Sequence, residues 1–365
     1  MFFIIIFLFF LLLLSQFLSH FKLGRVAIFL YTLIGLYCIF ILINYTPDKQ
    51  YYIFWIEYPE LTLDKEPTFQ IVAEYIRKHH YSYQFLHITF IGIYSLLYLY
   101  FVSRFSKNVY IITLLYIPLI FIFYGTQLRY FLGYYAVLLG YYYLLVAKKK
   151  MLALFCFIFA VCSHYSLLLF IPFYFLYQIK DNFYRRILRI TAIVFAGYTL
   201  ITTVIFNLFA GIRFVTYLKG DLVSSFSGGL FSFGVLIPVY VLVNQYYKAR
   251  LNDNPELIND SKFIFLYKFS LIPLAFLGIA ITAQVIGHRF IMTGVLMPIL
   301  FLFYRWNEIK NRTRKIRYLF FFIFTYIIIF VHFNFSFAWI MGEWEMVEEM
   351  QKMIWSNEIL KDLLT

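Results

Sequence analysis

The sequence predicts an all-α polytopic membrane protein. Hydrophobic residues make up 63% of its 365 residues, whereas charged residues make up only 13%. Apolar runs such as 1–14, 26–43 and 318–331 supply helices that can cross a hydrocarbon layer of about 30 Å. We therefore expect about twelve transmembrane segments, within a range of about ten to thirteen, in one helical bundle without a soluble domain.

The predicted spans follow the apolar runs along the chain. Residues 1–19 begin with Phe2 and Phe3 rather than with basic residues and contain no small-residue cleavage site. We therefore interpret them as a retained first span and not as a signal peptide. The other predicted spans are 26–43, 85–102, 109–124, 130–147, 151–163, 165–179, 190–210, 230–247, 263–283, 290–304 and 318–336. We expect 1–336 to form a single transmembrane domain and 337–365 an amphipathic extracytoplasmic tail.

The distribution of charge predicts the orientation of these spans. The formal net charge is +13, and most lysines and arginines fall in alternate loops, including Lys148 to Lys150 and the cluster in 305–317. The positive-inside rule makes these loops cytoplasmic and leaves both termini outside. Since this rule explains the excess of positive charge, we expect no nucleic acid among the partners.

The cysteines predict neither a disulfide framework nor a metal site. Cys38, Cys156 and Cys162 all lie inside apolar runs and lack the spacing of metal ligands. We expect them to serve as packing residues.

Two ionisable residues flank the lysines at 148–150. Arg129 precedes them and His164 follows them, so both are predicted to lie on the side opposite the cytoplasm. Residues 151–163 span only about 20 Å as a helix, which is short of the membrane thickness. His164 is therefore expected at the tip of a hairpin, below the outer interface and beneath a cavity. The alternative is a neutral histidine that hydrogen-bonds to a neighbouring helix.

Arg129 stands at the outer start of a span, in a polar and aromatic setting. Gln127 precedes it, and Tyr130 and Tyr134 follow at a spacing that repeats along one helical face. A guanidinium flanked by phenols suits a site that binds an anionic group and stacks sugars. The alternative is an arginine that reaches lipid headgroups within an aromatic belt.

The predicted outer loop, 44–84, carries six acidic residues. The segments 46–49 and 65–67 each have the pattern of a turn or a helix start. From Thr68 the helical spacing that begins with Phe69 predicts an amphipathic surface helix. A carboxylate near a cavity, such as Asp48 or Glu66, can act as a general base. The alternative for each of these acidic residues is simple solvation.

A late polar cluster precedes the predicted span 290–304. It contains Gln284, His288 and Arg289, and Arg213 in the loop 211–229 is a weaker version of the same pattern. Two arginines can together neutralise a diphosphate without a metal ion. The alternative for this cluster is anchoring at the membrane interface.

These motifs, taken in order over roughly residues 45–305, resemble the EpsG-like family of bacterial polysaccharide polymerases, which are of the Wzy type. The chain reads T-P-D-K-Q-Y-Y at 46–52, D-K-E-P-T-F at 64–69, Q-L-R-Y-F-L-G-Y-Y at 127–135, C-S-H-Y-S at 162–166 and G-H-R-F-I at 287–291. By this resemblance, the functional positions of the family correspond to Asp48, Glu66, Arg129, His164 and Arg289. The chain departs from the family pattern at Tyr130, where glutamine is common.

The resemblance implies a fold, a reaction and a location. It implies a bundle like that of GT-C glycosyltransferases in the bacterial inner (cytoplasmic) membrane, with the active site facing the periplasm or exterior. A glycan would pass from an undecaprenyl-diphosphate-linked donor to a sugar hydroxyl of a second lipid-linked repeat unit. Membrane lipids are further partners, a chain-length regulator is an optional one, and no cofactor or metal is implied.

The same resemblance suggests roles for the candidate residues. Arg129, Arg289 and Arg213 would bind the diphosphate, whereas Glu66 or Asp48 would deprotonate the acceptor hydroxyl. His164 would share that task or orient a substrate. The residues predicted to bind the glycan are Gln127, Tyr130, Tyr134 and His288.

Two other function classes stay open from the sequence. One is another glycosyltransferase or ligase that uses lipid-linked sugars, and the other is a non-enzymatic flippase or transporter of lipid-linked oligosaccharides. A transporter needs polar groups along a route to both faces, whereas the polar residues here concentrate on the outer side. This concentration favours the polymerase.

Overall fold

The computed structural model describes residues 25–42, 49–61, 65–179, 184–187, 189–194, 197, 226–277 and 284–332. Within these ranges the regular structure is helical and contains no strand, which confirms the predicted all-α class for this part of the chain. The chain divides into two compact units, one that ends at Ile171 and one that starts at Pro172. A single domain over 1–336 stays a prediction, and the predicted tail lies outside the described residues.

The first unit contains helices that match most of the predicted spans within a few residues. They are α1 (Arg25–Leu42), α2 (Lys49–Glu57), α3 (Pro67–His79), α4 (Tyr83–Ser103), α5 (Val109–Thr126), α6 (Leu128–Tyr141) and α7 (Lys150–Ser163). A π-helical segment, Tyr142–Val146, extends α6, and a 3-10 helix, Tyr165–Phe170, follows α7. The predicted amphipathic helix after Thr68 is confirmed by α3, which buries Phe69, Ala73 and Ile76 on one face.

Helix α6 forms the centre of this unit. It is buried along most of its length and packs between α4 and α7. Gly133 lets α7 approach closely, because a Cβ atom at this position would meet the Leu167 side chain and lie 2.7 Å from the Ala160 carbonyl oxygen. On the α4 side, buried tyrosines fill the core, and the Tyr124 hydroxyl lies 2.9 Å from that of Ser95. Much of the aromatic content therefore serves packing between helices.

The second arm of the predicted hairpin is an apolar helical run, Tyr165–Tyr177, that changes its type along its length. It is a 3-10 helix as far as Phe170 and α-helical over Phe173–Tyr177. Pro172 stands between the two segments and has no backbone N–H to donate to a preceding carbonyl. The first arm is confirmed, since α7 has 14 residues and a length of about 21 Å at 1.5 Å per residue.

The second unit is also helical in its described part. Its helices are α8 (Phe173–Tyr177), α9 (Phe226–Asp253), α10 (Ser261–Leu271), α11 (Gln284–Gly294), α12 (Leu296–Phe303) and α13 (Arg312–Val331). Helix α10 packs against α12, and α9 packs against α13. Lys268, the lysine inside a predicted span, is buried and donates to the Ile179 carbonyl oxygen at 2.9 Å and to the Tyr177 carbonyl oxygen. This lysine therefore has a structural role at the end of α8.

Two stretches of the described chain are long and apolar enough to cross a membrane. They are Tyr83–Ser103 and Arg289–Glu308, which overlap the predicted spans 85–102 and 290–304. The predicted total of about twelve spans is not confirmed by these two. The predicted first span, 1–19, and most of 190–210 lie outside the described residues.

Candidate functional site

The candidate site begins at the start of α3, where Pro67 fixes the backbone of Glu66. Pro67 is the first helical residue, and Glu66 is extended with φ −65° and ψ 143°. This conformation is the one that a following proline favours. The Glu66 carbonyl oxygen accepts from the N–H groups of Phe69 and Gln70 at 3.0 and 3.1 Å. The Glu66 side chain does not cap α3 and is buried.

Arg129 meets Glu66 from the start of α6. The chain breaks between α5 and α6 at Gln127, whose φ and ψ are −92° and 58°, so Arg129 lies in the first turn of α6. Its guanidinium Nη1 donates to the Glu66 carboxylate in a salt bridge. The side chains are only 16% and 9% exposed, respectively, so the pair is largely withdrawn from solvent. Removing one partner of such a buried pair costs about 3–5 kcal/mol.

Three aromatic rings surround this ion pair, and we call them the aromatic cage: Tyr52, Trp55 and Phe69. The Arg129 guanidinium carbon lies 5.0 Å from the Trp55 ring centre and 5.5 Å from the centres of the other two. Its Nε donates to the Tyr52 hydroxyl at 3.4 Å. Cation–π contacts stabilise by about 0.5–1 kcal/mol at exposed sites and by about 2 kcal/mol when desolvated.

A second cation shares the aromatic cage. The ammonium group of Lys65 lies 4.3 Å from the Trp55 ring centre, and this lysine is as buried as its neighbour Glu66. The aromatic cage therefore brings two cations, Lys65 and Arg129, to the same indole ring of Trp55. Guanidinium and ammonium groups are both common ligands of phosphate oxygens.

Hydrogen bonds between elements hold the cage in place. The Thr68 hydroxyl donates to the Cys162 carbonyl oxygen at 3.0 Å, which ties the start of α3 to the end of α7. The Arg77 guanidinium donates to the Ile56 carbonyl oxygen at 3.1 Å, which ties α3 to α2. The carboxylate and the aromatic rings are thus supported from two directions.

His164 lies at the same end of the helices as Arg129. Its ring centre is 5.5 Å from that of Tyr130, the residue next to Arg129, in an edge-on arrangement. This contact shows that Arg129 and His164 lie at the same end of α6 and α7, whereas the side of the membrane on which they lie stays a prediction. The His164 Nδ1 accepts from the Ser166 backbone N–H at 3.3 Å and lies 2.7 Å from the Ser166 hydroxyl. Because Nδ1 is an acceptor, the neutral ring carries its proton on Nε2.

The predicted glycan-binding tyrosines are buried between helices. Tyr130 and Tyr134 stack with a centre-to-centre distance of 6.0 Å, and Tyr134 also packs against Phe170. Gln127 is partly exposed, and its side-chain oxygen has no hydrogen-bond partner within the described residues. A contact between any of these side chains and a glycan stays a prediction.

The remaining predicted residues lie in the second unit or outside the described chain. Arg289 lies in α11 at the start of the apolar stretch Arg289–Glu308 and is partly exposed. His288 belongs to the same helix, but its side chain is outside the described part, as are Asp48 and Arg213. The predicted partnership of Arg129 with Arg289 therefore stays a prediction.

Sequence reasoning missed the cage and its second cation. Tyr52 and Trp55 are spaced by three residues, which places them on one face of α2, and Lys65 directly precedes Glu66. Both signals were visible in the sequence. The third ring, Phe69, was assigned only to the apolar face of α3. Its contact with Arg129 depends on the tertiary packing of α3 beside α6.

Comparison with known protein families decides the identity. The model of the EpsG family matches residues 49–341, which is most of the chain. The chain belongs to the EpsG family. The match covers α2, α3, the start of α6 and Arg289, so the site described here lies within the EpsG region. No curated protein and no solved structure matches the chain. EpsG membership and the apolar helices together make this a membrane protein with a role in polysaccharide biosynthesis.

Proposed function

We propose that this protein is a polysaccharide polymerase that acts on lipid-linked repeat units. It transfers a glycan from an undecaprenyl-diphosphate-linked donor to a sugar hydroxyl of a second lipid-linked repeat unit, on the extracytoplasmic face of the inner membrane. EpsG membership supports the class of reaction. The Glu66–Arg129 pair inside the aromatic cage is the observation that carries the assignment of the site.

The charge of the cage supports diphosphate binding. Lys65 and Arg129 both lie against aromatic rings that exclude water. A guanidinium presents its N–H donors in a planar fork that matches the geometry of phosphate oxygens. The salt bridge then fixes the plane of the guanidinium. A fixed donor is suited to the charge that develops on a leaving diphosphate.

In this proposal Glu66 is the general base that deprotonates the acceptor hydroxyl. The acceptor hydroxyl oxygen forms a bond to C1 of the donor sugar while the bond between C1 and the phosphate oxygen breaks. The diphosphate leaves with the electron pair of that bond, and Glu66 takes the hydroxyl proton. Positioned acid–base groups of this type contribute about 10²–10⁴-fold in rate.

His164 is better suited to orienting a substrate than to acting as a base. A base needs an available nitrogen lone pair, but the Nδ1 lone pair of His164 already accepts from Ser166. The protonated Nε2 is a donor and can bind a glycan or phosphate oxygen. Of the two roles predicted for His164, the geometry favours orientation.

A complementation experiment in cells tests the function. A strain that lacks the chromosomal copy receives the wild type, Arg129→Ala or Arg104→Ala, and its glycans are separated on a gel. Arg104 is the matched control, because its guanidinium carbon lies 4.0 Å from the Tyr100 ring centre at the other end of α4. We expect Arg129→Ala to reduce polymerisation by about 10²–10³-fold and leave single repeat units. Arg104→Ala is expected to restore the full ladder.

The glycan pattern separates the candidate functions. A full ladder from Arg129→Ala at normal protein level would remove Arg129 from the proposed site. Loss of the single-unit band as well would indicate a flippase, because export precedes polymerisation. If single units accumulate in every strain, including the one that carries the wild type, the protein is a different glycosyltransferase or a ligase.

A further inference from the structure

A buried histidine in α4 has no visible partner for its polar atoms. The His87 side chain is 0% exposed, and neither ring nitrogen has a hydrogen-bond partner within the described chain. The Gly125 backbone interacts with the ring as a weak hydrogen-bond partner, which falls short of the geometry of a regular hydrogen bond. A histidine always carries at least one N–H donor, and a buried donor without an acceptor is unfavourable. Such a group in a native protein calls for an explanation, and a ligand is one.

Two amide side chains extend this feature, and we call the three residues the polar cluster: Gln84, His87 and Gln127. Gln84 and His87 are three residues apart on α4 and so lie on one face. Gln127 follows Gly125 by two residues. Gln84 Nε2 and Gln127 Oε1 are buried atoms without a hydrogen-bond partner among the described residues. The polar cluster thus offers both donors and acceptors, which a sugar hydroxyl can satisfy because it also donates and accepts.

Helix α2 covers this region and connects it with the aromatic cage. The Lys49 ammonium lies 5.8 Å from the Tyr83 ring centre and acts electrostatically on His87. Tyr52 stacks on Tyr83 at 6.1 Å, and Tyr83 lies 5.8 Å from the imidazole ring centre of His87. Tyr52 also contacts Arg129, so a single ring touches both regions.

Within the described part of the chain, the cover of this region is the short helix α2. Helix α2 has nine residues, and its outer face is exposed, with Tyr51 at 61% and Phe54 at 48%. Displacing this short helix would uncover His87 without separating α4, α5 and α6. A ligand that enters beneath α2 would reach the polar cluster directly.

We propose that the polar cluster is a sugar-binding subsite whose floor is His87 and whose cover is α2. It binds hydroxyl groups of a sugar ring in the lipid-linked glycan, beside the cage that binds the diphosphate. This inference rests on the proposed function. It adds a specificity residue, His87, that recognises the glycan and not the lipid diphosphate.

The experiment measures binding of two lipids to the purified full-length protein in detergent. One lipid is undecaprenyl diphosphate without a glycan, and the other is the lipid-linked repeat extracted from a strain that lacks this protein. The variants are His87→Leu and His87→Gln, with His79→Leu as an exposed histidine control. We expect His87→Leu to bind the repeat about 10- to 100-fold more weakly and undecaprenyl diphosphate as the wild type does. His87→Gln keeps a donor and an acceptor, so its affinity for the repeat should lie nearer the wild-type value.

The thermal stability of the unliganded variants completes the test. Replacing an unpartnered buried polar group by an apolar one is close to neutral or stabilising, so His87→Leu should melt at or above the wild-type temperature. Unchanged affinity of both His87 variants for the repeat would overturn the subsite, as would an equal loss of affinity for both lipids. A wild type that binds the repeat selectively but does not elongate it would contradict the proposed function and leave the subsite standing.

Discussion

At the residue scale, one carboxylate and two cations define the chemistry of the site. Glu66 is positioned by the proline that follows it, and Arg129 by the break between α5 and α6. The sequence predicted both residues, because charge in an apolar chain is conspicuous and the proline marks a helix start. It could not predict that they form a salt bridge. A contact between residues 63 positions apart depends on tertiary packing, which no local pattern specifies.

We predict that Glu66→Gln separates binding of the diphosphate from the transfer reaction. Glu66→Gln removes a negative charge, so the purified variant should bind undecaprenyl diphosphate at least as tightly as the wild type. Its rate of polymerisation per folded protein should nevertheless fall by about 10²–10⁴-fold, because the proton acceptor is lost. Glu74→Gln, on an exposed position of α3, is the matched control and should change neither quantity. Normal polymerisation by Glu66→Gln would exclude Glu66 as the base.

The aromatic cage makes a second prediction at this scale. Trp55 contacts both Arg129 and Lys65, whereas Tyr51 of the same helix is exposed. Trp55→Ala should lower the free energy of unfolding by about 1–3 kcal/mol through lost packing and cation–π contacts, because Trp55 is partly buried. Tyr51→Ala should have an effect within about 0.5 kcal/mol. Thermal melting of both variants in the same detergent gives the comparison, and equal melting temperatures would remove Trp55 from the support of the site.

At the element scale, helix existence was easier to predict than helix continuity. Helix α3 followed from Pro67 and the spacing of Phe69, Ala73 and Ile76. In the second arm of the hairpin, the apolar run did not predict the change from a 3-10 helix to an α-helix. The proline inside that run was the available signal. The segment 46–49, which leads into the short helix α2, was interpreted as a turn or a helix start, because the nine residues of α2 with mixed polarity give a weak periodic pattern.

Close packing of α6 against α7 gives a prediction for this scale. A Cβ atom added at Gly133 would lie 2.7 Å from the Ala160 carbonyl oxygen, whereas one added at Gly92 would meet only the Tyr37 ring at 3.4 Å. Gly133→Ala should therefore lower the free energy of unfolding by about 1–3 kcal/mol, as overpacking does. Gly92→Ala is the matched control and should be close to neutral. Equal melting temperatures for the two variants would contradict the close approach of α7.

At the scale of the whole molecule, the sequence predicted the class of the protein and its orientation in the membrane. An all-α membrane chain followed from composition, and the EpsG match agrees with the predicted family. The predicted sides of the membrane come from the lysines at 148–150 and from the basic cluster in 305–317. The contact between His164 and Tyr130 agrees with that scheme, because α7 reverses the direction of α6. The number of spans depends on tilt and depth in the bilayer, which composition does not specify.

Thiol labelling in intact cells tests the orientation. The three cysteines are first replaced by serine, and a single cysteine is then introduced at Glu57 or at Lys149, which are both exposed. A membrane-impermeant maleimide should label Glu57→Cys in intact cells and Lys149→Cys only after permeabilisation. The reverse pattern would place the Glu66–Arg129 site on the cytoplasmic side.

The most direct test of the central claim is polymerisation by the purified protein in liposomes. The liposomes contain the lipid-linked repeat as the only glycan, and product length is followed by mass spectrometry. We predict that the wild type forms glycans of two and more repeats and releases undecaprenyl diphosphate, and that Arg129→Ala and Glu66→Gln leave the repeat unchanged. Repeats that cross the bilayer without elongation by the wild type, or elongation that continues in both variants, would contradict a polymerase built on the Glu66–Arg129 pair.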